Sequence, residues 1–177
     1  MRLAGLRLEP AQDDLLAPAV AAALATMPSV AADAHTVAID PDLADTAALT
    51  ERFDLEPEMS ANCVVVLGKR GGEHRPAACV VLSSTRADVN GLVRRTLDSR
   101  KCSFAPQDWA VGETGMEHGG ITPVGLPDGW PILVDRAVTE QPWVLLGSGL
   151  RRSKLALPGS ALAQLPGAQV LDGLGLH

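Results

Sequence analysis

The 177-residue chain reads as one α+β (mixed α/β) domain with a central mixed, largely antiparallel sheet and surrounding helices. Three observations predict this. Residues 61–67 and 76–83 are nearly all apolar, as in paired central strands buried on both faces. Helix-period and strand-like segments are interspersed along the rest, without an internal repeat, low-complexity tract or linker. A composition of 46% hydrophobic and 20% charged residues is that of a globular protein of one core.

The elements are taken in chain order. Residues 11–27 read as an Ala-rich helix with Leu16, Val20, Leu24 and Met27 along one side. Pro18 sits in its first turn or splits off a short lead-in. His35 to Ile39 reads as a strand, and Asp40-Pro41-Asp42 starts a helix ending near Phe53, closed by Pro57. Strands 61–67 and 76–83 are joined by a long polar hairpin loop, residues 68–75. Thr85-x-x-Asp88 resembles a capping box with Asp in the place of Glu or Gln. In the helix after it, Val89, Leu92, Val93 and Thr96 share a face, and Arg94 and Arg95 point away from it. Pro106 opens a short helix that Gly115 stops. Strands fit 120–125, 131–135, 142–147 and 153–156, then a short helix near 160–165 and a last strand at 168–172. Residues 1–34 form an N-terminal helical extension and 35–172 the core.

Composition narrows the function. The five aromatics are Phe53, Phe104, Trp109, Trp130 and Trp143, without a tyrosine, so the core is mostly Ala, Val, Leu and Ile. Burial is the expectation for all three tryptophans. No apolar run approaches the ~20 residues that span a bilayer. Arg2 and Arg7 precede no continuous apolar stretch before Asp13-Asp14, which argues against a signal peptide. Cys63, Cys79 and Cys102 are odd in number and sparse, which predicts reduced thiols in the cytoplasm. Cys63 and Cys79 lie in apolar strands, where a thiol is packing. The four histidines are dispersed and no Cys-x-x-Cys exists, so neither a metal nor any other cofactor is expected.

The net charge of −6 counts against a general nucleic-acid binder, and no DNA or membrane partner is expected. The charge is unevenly spread. Residues 1–58 carry three basic and eleven acidic groups, residues 59–101 eight basic and three acidic. The middle block, with Arg94-Arg95 and Arg100-Lys101, is either a local surface for an RNA backbone or a solvated helix face and turn.

The richest stretch is Thr114-Gly115-Met116-Glu117-His118-Gly119-Gly120-Ile121-Thr122-Pro123-Val124-Gly125-Leu126-Pro127. Glycine admits close backbone approach, proline stiffens the chain beside it, and exposed N–H groups in such a loop can hold an anion or an oxyanion. The plain alternative is two turns around a strand.

This segment resembles the Gly-x-x-x-Pro loop of the YbaK-like aminoacyl-tRNA deacylases, the prolyl-tRNA editing domains. Ser60 to Leu67 is similar to their first core strand, Pro76 to Ser83 to the next, and Leu145 to Leu155 to their last sheet segment. The likeness covers roughly residues 35–172. It implies a YbaK-like fold and a free-standing, cytoplasmic trans-editing hydrolase that deacylates mischarged aminoacyl-tRNA, with misacylated tRNA(Pro) as substrate. The partner implied is the 3′ end of aminoacyl-tRNA, with a synthetase as a further one. One position departs: many members carry a lysine on the first core strand facing the loop, where this chain has Asn62. An asparagine offers a neutral amide and not an ammonium.

In that frame the backbones of Gly119 and Gly120 contact the aminoacyl carbonyl or position water, and Asn62 orients the substrate. Pro123 holds the loop, with Gly115, His118, Ile121 and Thr122 around it. Ser148 and Gly149 line the opposite wall, and Lys154 meets the tRNA terminus. Each has a plain structural reading beside it: Asn62 at a strand edge, Ser148 in a turn, Lys154 on the surface, His118 as a neighbour of the loop. The departure at Asn62 supports a second hypothesis, a catalytically silent binding module for aminoacyl-tRNA, a synthetase or a free amino acid. Hydrolysis of another small ester is a third.

Overall fold

A computed structural model describes residues 1–177. Its strands, in chain order, are β1 (Glu9–Pro10), β2 (His35–Ala38), β3 (Ala61–Arg70), β4 (Glu73–Leu82), β5 (Lys101–Phe104), β6 (Ile132–Asp135), β7 (Val144–Gly147), β8 (Ser153–Leu157) and β9 (Ala168–Leu171). Five form a mixed sheet in the order β9-β6-β4-β3-β5; β6 is parallel to both its neighbours and the remaining pairs are antiparallel. Four form an antiparallel sheet in the order β7-β8-β2-β1. Two short ribbons, Arg2–Leu3 with Leu6–Arg7 and Arg86–Ala87 with Gly175–Leu176, complete the pairing. The α-helices of four residues or more are α1 (Pro18–Ala25), α2 (Pro28–Asp33), α3 (Thr46–Phe53), α4 (Gln107–Thr114) and α5 (Arg136–Thr139), and a π-helical turn, Val89–Val93, runs into a single helical turn, Arg94–Thr96.

The main core lies between the sheets. Val80, Leu82 and Val134 meet Leu146, Leu155 and Leu157 there. Residues 16–34 contribute to the same core, where Leu16, Ala17, Val20, Leu24, Val30 and Ala34 are all buried, and β1 extends the second sheet. A second cluster covers the far face of the mixed sheet, where Val66, Cys79 and Leu133 pack under Val89, Val93 and Leu97. A third, with Leu8, Leu49 and Leu55, covers the far face of the antiparallel sheet at Leu145 and Ala156. Among the tryptophans only Trp130 is buried; Trp109 stacks on it with ring centres 5.7 Å apart, and Trp109 and Trp143 are half-buried. No helix is long and apolar enough to cross a membrane.

Several local expectations are corrected. The helix expected over 11–27 begins only at Pro18 and is succeeded by α2 at Pro28. Each proline disfavours helical angles in the residue before it, and Ala17 and Met27 are accordingly non-helical. The loop expected over 68–75 shrinks to a two-residue turn. Pairing runs unbroken from Ala61–Leu82 to Arg70–Glu73, and Gly71 and Gly72 both take positive φ, +56° and +89°. That is the twist a tight hairpin requires, so the ladder continues through polar sequence. No capping box forms at Thr85, whose hydroxyl donates to Leu82 O. Asp88 alone caps, accepting from the N–H groups of Gly91 and Leu92 at the head of a π-helical turn. The strand expected over 120–125 is a loop without a ladder partner, bracketed by Gly119 and Gly125 at φ +78° and +82°. Edge strand β5 and the short α5 were not expected.

That loop lies across the end of β7. Gly149 N–H donates to Gly120 O at 2.7 Å, and Glu117 N–H to Gly149 O at 2.8 Å. A Cβ on Gly120 would stand 2.8 Å from the Leu150 backbone, and one on Gly147 would press into the carbonyls of Gly120 and Ile121. The backbones meet at van der Waals distance because neither position has a side chain. Gly147→Ala is therefore expected to destabilise the fold by about 2 kcal/mol, the range of overpacked cores. Gly112→Ala, inside α4 with nothing within 4 Å of its Cβ, is expected to stabilise it by up to about 1 kcal/mol. Denaturant melts of the two variants check both signs.

Candidate active site

The two sheets touch at one bridge, Ser60 beside Leu145, and then part. Beyond the bridge, β3 has no outer neighbour until β5 pairs with it from Val66. Hydrogen bonding in an antiparallel ladder alternates. Ser83 N–H donates to Ser60 O, so Asn62 and Val64 exchange bonds with β4, and the peptide groups of Ala61, Cys63 and Val65 turn outward. Val65 O is taken by Ala105 N–H. The N–H and C=O of Cys63 remain on the open edge. A pocket of about 290 Å³ fills this gap, bounded by residues 44–46, residues 60–64, the His118–Gly119 turn, Ile121, Gly147 and Lys154.

Lys154 projects from β8 and is only 5% exposed. Its ammonium donates to Ala44 O at 2.7 Å and has no carboxylate partner, so two of its three N–H groups are uncommitted. Burial lowers its pKa to about 8; Asp45 pulls it upward and Arg151 downward. Asp45 is the sole carboxylate on the pocket wall, and it caps α3 through Ala47 N–H at 2.8 Å. Thr46 Oγ1 donates to Asn62 Oδ1 at 2.8 Å, which leaves the Asn62 amide NH2 as the free end of that side chain. The Ser60 hydroxyl borders the pocket, buried and without a protein partner. Burial raises the Cys63 thiol far above its ordinary range, which keeps it protonated and poorly nucleophilic. The site is thus dominated by hydrogen-bond donors: an ammonium, an amide NH2 and backbone N–H groups.

One guanidinium ties the rims together. Arg151 donates to His118 O and to Pro41 O, both at 3.0 Å, and its own N–H donates to Glu117 Oε2 at 2.6 Å. A Cβ on Gly119 would lie 2.8 Å from Arg151 Nη1.

Of the residues singled out in the sequence, Asn62, His118, Gly119, Ile121 and Lys154 line the pocket. The others lie elsewhere. Gly120 is buried and its N–H is spent on Glu117 O at 2.9 Å, so it cannot also donate to a ligand. Ser148 is fully buried behind the wall, bonded to Ser153 Oγ at 2.8 Å. Gly149, at φ +84°, packs against Ala17 and Met116. Gly115 caps α4. Thr122 is buried, and Pro123 borders a different groove beside α1. Ser60, Asp45 and Thr46 were not anticipated. Ser60 was within reach of sequence reasoning, since it stands two residues before Asn62 and alternate strand residues share a face. Asp45 and Thr46 come from a distant segment and carried no such signal. Nowhere in the molecule do three or more His, Cys, Asp or Glu side chains gather as metal ligands.

Residues 40–165 match the sequence model of the aminoacyl-tRNA editing domain family. Among solved structures, the chain is similar to a protein provisionally named as a trans-editing enzyme for prolyl-tRNA synthetase. The TM-score is 0.75 at 23% identity, over 91% of this chain and 97% of that one. It is equally similar to a scaffold protein used for epitope backbone grafting, with a TM-score of 0.75 at 22% identity, over 92% of this chain and all of that one. A third likeness is to a protein of Marinobacter aquaeolei provisionally assigned to signal transduction. There the TM-score is 0.60 at 18% identity, and the match covers 90% of this chain but 30% of that one.

The buried lysine leaves a signature in stability. The unfolded chain keeps the Lys154 proton up to about its ordinary pKa of 10.5, whereas the folded chain releases it near 8. Between those values the unfolded state holds more protons, so stability rises with pH. Relative to Lys154→Met, the parent's unfolding free energy is expected to climb by up to about 3 kcal/mol from pH 8 to 10.5. Chemical denaturation across that window checks it; a flat difference refutes the buried ammonium.

Proposed function

This chain belongs to the aminoacyl-tRNA editing domain family, and from that premise we propose that it is a free-standing trans-editing hydrolase that deacylates mischarged aminoacyl-tRNA, with misacylated tRNA(Pro) as its substrate. The observation that carries the proposal is the buried Lys154 ammonium with two uncommitted donors, beside the free amide of Asn62 in a small pocket.

The reaction asks little of the protein. An aminoacyl ester is already activated, so hydrolysis needs a placed water and donors for the oxyanion. In this reading water adds to the ester carbonyl. The Lys154 ammonium, the Asn62 amide and the Gly119 N–H receive the developing negative charge. The C–O bond to the terminal ribose then breaks, and the ribose oxygen leaves as a hydroxyl with the proton that the attacking water gives up. Asp45 meets the α-ammonium of the aminoacyl group, and the Ser60 hydroxyl holds the water. At about 290 Å³ the pocket lies at the small end of ligand sites, roughly 300–1,000 Å³. Discrimination is then largely steric, admitting a small side chain and refusing proline. In this reading Lys154 supplies from β8 the positive charge that the resemblance leads one to expect at the position of Asn62.

The second reading, a silent binding module for aminoacyl-tRNA, a synthetase or a free amino acid, is favoured by Asn62, anchored to Thr46, standing where the family resemblance leads one to expect a lysine. Single-turnover deacylation of Ala-, Cys-, Ser- and Pro-charged tRNA(Pro) separates the two. The expected result is rapid loss of one non-cognate amino acid with Pro-tRNA(Pro) spared, and a loss of roughly 100-fold or more in Lys154→Met. After subtraction of spontaneous hydrolysis, the rate is expected to fall as pH rises through about 8, where Lys154 loses its charge. No hydrolysis of any substrate by the folded parent would overturn the enzyme reading in favour of the module.

A further inference from the structure

We infer that the tip of the β3–β4 hairpin, with the start of β5, is a docking site for the phosphate backbone of the RNA whose 3′ end enters the pocket. The inference rests on the editing-domain reading for the identity of that RNA.

The tip is cationic by construction. Lys69 pairs across one ladder with His74 and across the other with Lys101, placing three basic side chains in a row on one face. Arg70 and Arg100 flank the row, and together these five border a hollow of about 250 Å³ floored by Gly71 and Gly72. Like charges directly opposite one another cost stability in a sheet. Here they are left uncompensated. Asp98 pairs with Arg70 and Arg75, and Glu73 with Arg75, whereas Lys69, Arg100 and Lys101 have no carboxylate partner. All three are exposed. In the other basic pairs of the chain, Arg151 holds His118 and Pro41, Arg152 donates to Asp14 O at 2.7 Å, and Arg94 donates to Asn90 O at 2.9 Å. Lys69, Arg100 and Lys101, three unpaired cations grouped at one tip of a chain of net charge −6, are an arrangement suited to a polyanion.

Position selects the polyanion. The pocket and the tip occupy opposite ends of one strand, β3, with Cys63 at one and Lys69 at the other. Six residues of strand separate them by about 20 Å. An RNA whose terminal ribose reaches Lys154 continues away from the pocket as a charged strand and then as a duplex, and an acceptor arm exceeds that reach. Gly71 and Gly72 have no atom within 4 Å of where a Cβ would stand, so a phosphate can approach the turn backbone closely. The tip reads charge and distance, and the pocket reads the amino acid.

The test is fluorescence anisotropy of the intact protein with uncharged tRNA and with a short RNA hairpin ending in CCA, across a salt series. Lys69→Gln/Lys101→Gln is expected to bind both RNAs at least 10-fold more weakly, with a log–log salt slope smaller by about two. Arg2→Gln/Arg7→Gln, which removes the same charge elsewhere, is expected to keep the parent's affinity. Equal affinity and slope for the parent and the hairpin variant would overturn the inference. So would capture by phosphatidylserine vesicles without binding of RNA. Binding that is sensitive to the hairpin, without hydrolysis of any charged tRNA, upholds the docking site and refutes the enzyme. Hydrolysis by the parent, with binding indifferent to the hairpin, does the reverse.

Discussion

The pocket depends on one bridge. Ser60 and Leu145 join the two sheets at a single pair, and the edge of β3 is uncovered because the sheets separate immediately afterwards. Everything chemical is hung from that fork. β3 supplies Asn62 and the open peptide group of Cys63, β8 sends Lys154 up from the other prong, and the gap is closed by Ala44 and Asp45 before α3 and by Thr46 at its start. The fork is held by the apolar core between the sheets, so the site is anchored on strands and not on loops alone. The glycines at 120, 147 and 149 serve the same end, letting the loop lie against the strand closely enough to share hydrogen bonds with it.

Electrostatics give the fork its character. A lysine in a buried place carries a desolvation cost, and here the cost is offset by one carbonyl and one nearby carboxylate instead of a direct ion pair. The consequence is a cation that is not saturated by the protein. Asn62, pinned by Thr46, adds a neutral donor of fixed orientation. The result is a small, donor-rich space suited to an oxygen that gains charge during a reaction.

The sequence disclosed the scaffold better than the site. The apolar runs of β3 and β4, the capping of α4 by Gly115, and the late strands are local patterns, and local patterns are legible. Errors arose where a local signal had two meanings. Gly71-Gly72 within a polar run looks like a loop, yet it is the tightest of turns. Gly119-Gly120 looks like a ligand cradle, yet Gly120 is a packing contact and only Gly119 borders the pocket. Ser148 sits in a glycine-rich run that invites a functional reading, but it faces Ser153 in the interior. Asp45 and Thr46 were invisible for a different reason. They approach Asn62 through the tertiary fold, and no periodicity in a single sequence records that meeting.

Arg151 adds a mechanical consequence. A single side chain clasps the His118 turn to Pro41, so the two rims meet through hydrogen bonds to one guanidinium, itself carried on four rotatable bonds. The opening thus carries one torsionally soft clasp set into a rigid frame. Releasing it removes the direct tie between the lips, while Glu117 stays bonded to Gly149 and Ala44 to Lys154. A turn of that side chain would change the opening between the lips while the strands that frame the pocket keep their places.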